Sequence, residues 1–136
     1  MPEKCHVLIA ENDDFLREKI AGVLSRLECI SAVSQVSDMT TLAAMVDKYA
    51  PSIILVDLKL ASGNKTLINE LRRKHEEMRI YFMNENDTKL PCAEKIDGAD
   101  GCFFKQNIVS EVHNLIENEC SEAGLVSSSC KYPKKI

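Results

Sequence analysis

The sequence predicts an α/β fold of the (βα)5 type, a doubly wound parallel sheet with helices on both faces. Three observations predict it. Five short apolar runs are spread along the 136 residues, helical periodicities fall between them, and the apolar fraction of 45% is that of an ordinary globular chain. A chain of this length makes one domain and buries a core without a metal or disulfide to staple it.

The runs are His6–Ala10, Ile30–Val36, Ile53–Val56, Ile80–Met83 and Cys102–Phe104. The first, third and fourth are continuous rather than alternating, as strands covered on both faces are. After the first, Leu16, Ile20, Val23, Leu24 and Leu27 recur at helical spacing, with Asp13 or Asp14 to cap the start. After the second, Leu42, Met45, Val46 and Tyr49 do the same behind Ser37 or Asp38, and Pro51 stops that helix. Leu67, Ile68 and Leu71 mark a third helix. The fourth is weak, because Pro91 interrupts residues 86–97 and an interior proline costs about 3 kcal/mol. It is expected only from Pro91 to Asp97, with Gly98 ending it. Ile108, Val112, Leu115 and Ile116 mark the last helix, capped by Asn107. The alternation implies right-handed crossovers between parallel strands. Residues 4–119 make the domain, and residues 120–136, rich in Ser and Lys with Gly124 and Pro133, read as a flexible tail or linker stump.

Charge and composition remove several function classes. Seventeen basic residues against 21 acidic ones give −4, which lacks the electrostatic footprint of a nucleic-acid binder. The one basic cluster, Arg72-Arg73-Lys74, reads as the solvated face of a helix. No run reaches the length of a membrane span and no secretory pattern opens the chain. Six cysteines, at 5, 29, 92, 102, 120 and 130, show no CxxC pair or regular spacing, so no disulfide framework is expected and Cys102 reads as a small core residue. A reducing, cytoplasmic setting follows as the expectation. His6, His75 and His113 are isolated, without metal-site spacing, and His75 reads as a favourable contact at a helix C-terminus.

Open α/β sheets bind ligands beyond the carboxyl ends of their strands. Those ends carry Glu11-Asn12-Asp13-Asp14 after strand one, Asp57 on strand three, Asn84-Glu85 after strand four and Lys105 after strand five. Carboxylate oxygens suit Mg2+, and a lysine opposite them suits a phosphoryl group. A single Asp at a strand end often does no more than cap the next helix. Four converging polar positions point instead to a site centred on Asp57.

Three segments carry a family resemblance: Val7-Leu-Ile-Ala-Glu-Asn-Asp13, Pro51-Ser-Ile-Ile-Leu-Val-Asp-Leu58 and Gly98-Ala-Asp-Gly-Cys-Phe-Phe-Lys105. Over about Lys4 to Glu119 the chain resembles the receiver domain of two-component response regulators, the CheY-like branch of the flavodoxin-like fold. The resemblance implies strand order 2-1-3-4-5 and a phosphoacceptor at Asp57, whose carboxylate attacks the phosphoryl group while a cation offsets charge. It implies Lys105 as the partner of the product, Asn84 in place of the usual Ser or Thr, and Mg2+ held by Glu11, Asn12, Asp57 and the backbone carbonyl of Lys59. The implied partners are a histidine kinase or phosphotransfer protein and an output protein, or an output domain beyond residue 136. No membrane and no direct nucleic-acid contact by this domain are implied. The implied activity is signalling rather than enzymatic, beyond the domain's own phosphoryl transfer and dephosphorylation. Family homodimers form through the fourth helix, fifth strand and fifth helix, a mode that the interrupted fourth helix weakens.

Departures from the family pattern surround Asp57. Asn12 stands where a second acid normally ligates the metal, which weakens Mg2+ binding. Asn84 replaces the hydroxyl that moves onto the phosphoryl group, although an amide also donates to an oxyanion. Cys102 replaces the switch aromatic, and Ala61 replaces a proline. Gln106 replaces a cis-proline, so the Lys105–Gln106 bond is expected trans, with the ammonium further from Asp57. The expectation is an atypical receiver acting by protein–protein recognition, with a phosphorylation-independent pseudo-receiver as the alternative. A flavodoxin-like cofactor carrier would need a Gly-, Ser- or Thr-rich phosphate loop where the chain has Glu11–Asp14. A thiol enzyme would need Cys102 activated by Lys105, for which a packing role is the simpler reading.

Overall fold

The computed structural model of the chain describes residues 5–84 and 99–122. Five parallel strands, β1 (Cys5–Ala10), β2 (Ile30–Val36), β3 (Ile53–Asp57), β4 (Arg79–Asn84) and β5 (Gly101–Phe104), form one sheet in the order β2-β1-β3-β4-β5. The described helices are α1 (Asp14–Ser25), α2 (Met39–Tyr49), a short α3 (Leu58–Ser62), α4 (Lys65–Lys74) and α5 (Ile108–Glu122). The fourth helix expected from Pro91 to Asp97 lies outside the described residues.

Strand side chains alternate between two cores, as a pleated strand requires. Val7, Ile9, Ile53, Leu55, Tyr81 and Met83 point to one face, where Ile20 and Leu24 of α1 and Val112 and Ile116 of α5 cover them. Leu8, Ala10, Ile54, Val56, Ile80 and Phe82 point to the other, under Leu42 and Val46 of α2 and Ile68 and Leu71 of α4. Helices cover both faces, which is why these strands read as unbroken apolar runs. At β5, Gly101 lies close under the Tyr81 ring: a Cβ there would be 3.1 Å from two ring carbons, so the ring would have to give by a few tenths of an ångström.

The caps settle choices the sequence left open. Asp13 accepts the Leu16 amide at 3.1 Å and begins α1, while Asp14 pairs with Arg17 at 2.6 Å. Asp38, not Ser37, caps α2 by accepting the Thr41 amide at 2.7 Å. Although exposed, Asp38 titrates below the ordinary Asp value, held there by the bonds from Thr41. Ala50 ends α2 in the left-handed region with φ of 48°. Pro51 disfavours the helical region for the residue before it, and the Ala50 amide still reaches the Val46 carbonyl at 2.8 Å.

Several expectations are corrected. Helix α3 is absent from the sequence reading because five residues are too few to show a period. Arg72 is not part of a solvated face: it donates to the Met78 carbonyl at 2.7 Å and pairs with Asp100 at 2.5 Å, tying α4 to the start of β5. Asp100 in turn accepts the Ile80 amide at 2.8 Å. His75 sits at the C-cap of α4, as expected, and also meets Asp47 of α2 at 3.2 Å. Asn107, expected as the cap of the last helix, directly precedes α5 and is also the final residue of a 3-10 turn, Lys105–Asn107. Helix α5 continues to Glu122, so residues 120–122 extend it rather than open the tail.

The largest correction concerns sulfur. Cys29 and Cys102 are disulfide-bonded, against the expectation of no disulfides and of Cys102 as a simple core residue. They pack on opposite faces of the sheet, Cys29 in the α1/α5 core and Cys102 against the α2/α4 core. Pairing depends on approach in space, which irregular sequence spacing does not encode. The argument for a reducing, cytoplasmic setting from unpaired cysteines therefore loses its basis. Among the described residues no helix is long and apolar enough to cross a membrane.

Candidate functional site

The parallel register aligns the carboxyl ends of the four inner and right-hand strands. Ala10 pairs with Val56, Asp57 with Met83, and Asn84 with Phe104, so Glu11, Asp57, Asn84 and Lys105 all emerge at one edge. Three of them are the described chain's buried polar residues: Glu11 is 1% exposed, Asp57 5% and Asn84 6%.

Glu11 is held from both sides. Its amide donates to the Val36 carbonyl at 3.1 Å, its Oε2 accepts the Asp13 amide at 3.0 Å, and its carbonyl accepts from Arg17 at 2.7 Å. Asp57 closes β3 and starts α3, its Oδ2 accepting the Leu60 amide at 3.1 Å. Lys105 opens the 3-10 turn and spans the pocket. Its Nζ lies 2.5 Å from Asp57 Oδ1 and 2.9 Å from Glu11 Oε1. The Glu11 contact lies outside hydrogen-bond geometry, so charge attraction rather than a directed bond makes it. Burial alone would lower the Lys105 pKa, but the bond to Asp57, the contact with Glu11 and the charges of both outweigh it, and the ammonium titrates above its ordinary value.

The ammonium therefore does not sit further from Asp57, as expected from the missing proline. The Lys105–Gln106 bond is trans, as expected, since no cis peptide occurs among the described residues. The 3-10 turn absorbs the change, and a four-carbon side chain reaches across regardless. Gln106 is exposed in that turn. Asn84 Nδ2 is buried with no hydrogen-bond partner, an amide donor left open at the end of β4. Cys102, at the place of the switch aromatic, is part-buried and disulfide-bonded. Sequence reasoning missed Arg17, which fixes the Glu11 backbone. The only signal was its place one turn after Asp13.

The donors expected for Mg2+ can be tested on this geometry. Magnesium demands near-octahedral oxygens at about 2.0–2.1 Å. Asn12 is neutral and exposed. The Lys59 carbonyl, expected as a ligand, accepts the Gly63 amide at 3.3 Å, and a helical carbonyl points toward its helix's C-terminus, away from Asp57. Asp57 Oδ1 and Oδ2 and Glu11 Oε2 accept hydrogen bonds from Lys105, the Leu60 amide and the Asp13 amide, and Glu11 Oε1, which accepts none, faces the Lys105 ammonium at 2.9 Å. Among the described residues no three His, Cys, Asp or Glu side chains converge as a metal site. The residues present do not fit a magnesium ion in this arrangement.

Known structures share the architecture. The signal receiver domain of the response regulator NarL from Mycobacterium tuberculosis superposes with a TM-score of 0.67 at 20% identity, over 85% of this chain and 98% of that one. The non-phosphorylated receiver domain of the stress response regulator RcsB from Escherichia coli gives 0.72 at 20% identity, over 90% and 95%. NtrX from Brucella abortus, in complex with ADP, gives 0.74 at 16% identity over 91% of this chain but only 28% of its own. These identities show the fold alone. No curated protein matches the chain. A family model described as the response regulator receiver domain matches residues 7–117, most of the chain, and with the sheet order 2-1-3-4-5 in place the chain belongs to the receiver domains of two-component response regulators.

Proposed function

We propose that this receiver acts by protein–protein recognition in a two-component pathway and does so without phosphorylation of Asp57. Receiver domains are signalling modules rather than classical enzymes; they interact with histidine kinases and output domains, and they generally bind Mg2+ at the phosphorylation site. The observation that carries the reading is the state of Asp57. Both of its oxygens are committed inside the fold, Oδ1 to Lys105 and Oδ2 to the cap of α3, and it is 5% exposed. Each oxygen keeps a second lone pair, but at 5% exposure a phosphodonor has little room to reach it. The groups that would transmit a change are altered as well: Asn84 replaces the hydroxyl and Cys102 replaces the ring.

A second reading, Asp57 as a phosphoacceptor with unusual kinetics, is favoured by one arrangement. Lys105 lies beside Asp57, and the unpartnered Asn84 amide could donate to a phosphoryl oxygen. Incubation with a small phosphodonor such as acetyl phosphate, with MgCl2 present, separates the two. Intact-mass spectrometry should show no adduct. A phosphoryl adduct that maps to Asp57 and disappears in Asp57→Asn establishes the second reading.

A further inference from the structure

Two carboxylates buried to 1% and 5% exposure need a counter-charge inside the protein, because desolvation penalises each of them. In receivers generally that charge can come from a bound divalent ion. Here the geometry points to a different source. We infer that Lys105 is the resident cation of the pocket, standing between Glu11 and Asp57 where a shared ion would lie, and that the pocket takes no divalent metal. The inference rests on the phosphorylation-independent function proposed above and sharpens it.

Four observations converge. The Lys105 Nζ touches one oxygen of each carboxylate, at 2.9 Å and 2.5 Å, so its charge is shared. The remaining oxygen of each carboxylate accepts a backbone amide, from Asp13 and from Leu60. The Lys59 carbonyl is used within α3. Finally, Asn12 contributes no charge, so among the described residues Glu11, Asp57 and Lys105 together carry a formal charge of −1. A dication entering this site would overturn that balance to +1 and stand a few ångströms from a buried ammonium, a repulsion poorly screened by solvent.

The test uses the full chain titrated with MgCl2, and separately with MnCl2, to millimolar concentration. Thermal melting and selective Mn2+ broadening of the amide signals of Asp57 and its neighbours are the readouts. A ligand that binds only the folded state raises the melting temperature. The native chain should shift by less than roughly 3 °C and show no selective broadening. Lys105→Met and Lys105→Gln, which leave the two carboxylates without their cation, should acquire a metal-dependent rise in melting temperature. Saturable stabilisation or selective broadening in the native chain overturns the inference. So does a lack of metal response in both variants, which would mean that Lys105 is not what excludes the metal. The outcomes also separate the inference from the function it rests on. Metal binding without an Asp57 adduct sinks only the inference, whereas an adduct sinks the proposed function whatever the titration shows.

Discussion

Asp57 caps the helix that begins with its own neighbour: its Oδ2 accepts the Leu60 amide at 3.1 Å while its Oδ1 faces Lys105. The side chain at the centre of the site is thus also a structural part, and its two duties can be separated by mutation. Asp57→Asn keeps a carbonyl acceptor for the cap, whereas Asp57→Ala removes cap and counter-charge together. Loss of a cap costs about 1 kcal/mol, and breaking a buried ion pair on one side costs about 3 kcal/mol. Urea unfolding should therefore rank the native chain above Asp57→Asn and Asp57→Ala lowest. Equal stability of the two variants would show that the cap contributes nothing.

Lys105 and Glu11 should be coupled. Lys105→Met strands two buried carboxylates, and adding Glu11→Gln relieves one of them. The double variant should be more stable than the sum of the single changes by about 1 kcal/mol or more. Additive behaviour in a double-mutant cycle would mean that the 2.9 Å contact is incidental.

Stability should fall at alkaline pH for a definable reason. The folded pKa of Lys105 lies above its ordinary value of 10.5. Such a group contributes stability that is fully present below its unfolded pKa and is lost as pH rises through the folded one. The urea midpoint attributable to this pair should hold through neutral pH and decline only above about 10.5. Lys105→Met should flatten that decline. A native chain and variant with parallel alkaline profiles would contradict the assignment.

Neighbouring arginines of α4 should behave very differently. Arg72 bonds the Met78 carbonyl and Asp100, while Arg73 is exposed. Hydrogen bonds to charged groups contribute about 1.5–3 kcal/mol, so Arg72→Met should destabilise by about 2 kcal/mol. Arg73→Met should stay within about 0.5 kcal/mol. Comparable losses would restore the reading of this cluster as a simple solvated face.

The disulfides are directly measurable. Non-reducing peptide mapping should recover Cys29 and Cys102 in cross-linked peptides, and a reductant should lower the melting temperature. If both residues alkylate fully without reduction, their assignment is wrong.

The sheet was legible because burial on both faces writes itself into sequence: Ile53 to Val56 and Ile80 to Met83 can be uniformly apolar only when each face is covered. The site's residues were legible as well, since a parallel sheet in the order β2-β1-β3-β4-β5 must bring Glu11, Asp57 and Lys105 to one edge. What failed were features set by space rather than by period. Helix α3 is too short to repeat, the Arg72–Asp100 bridge joins residues 28 positions apart, and the reach of Lys105 depends on side-chain length more than on the loop that carries it. Asp13 and Asp38 were among the named candidates, but only geometry could choose between adjacent cap residues.

The closeness of Gly101 to the Tyr81 ring has a practical consequence. The chain has no tryptophan, and Tyr81 is 6% exposed in the core while Tyr49 lies at the surface. A tyrosine ring held against a glycine of β5 is a built-in optical probe: its near-ultraviolet circular dichroism reports whether the outermost strand is docked. Events at Lys105, four residues along the same strand and turn, can therefore be followed in unlabelled protein.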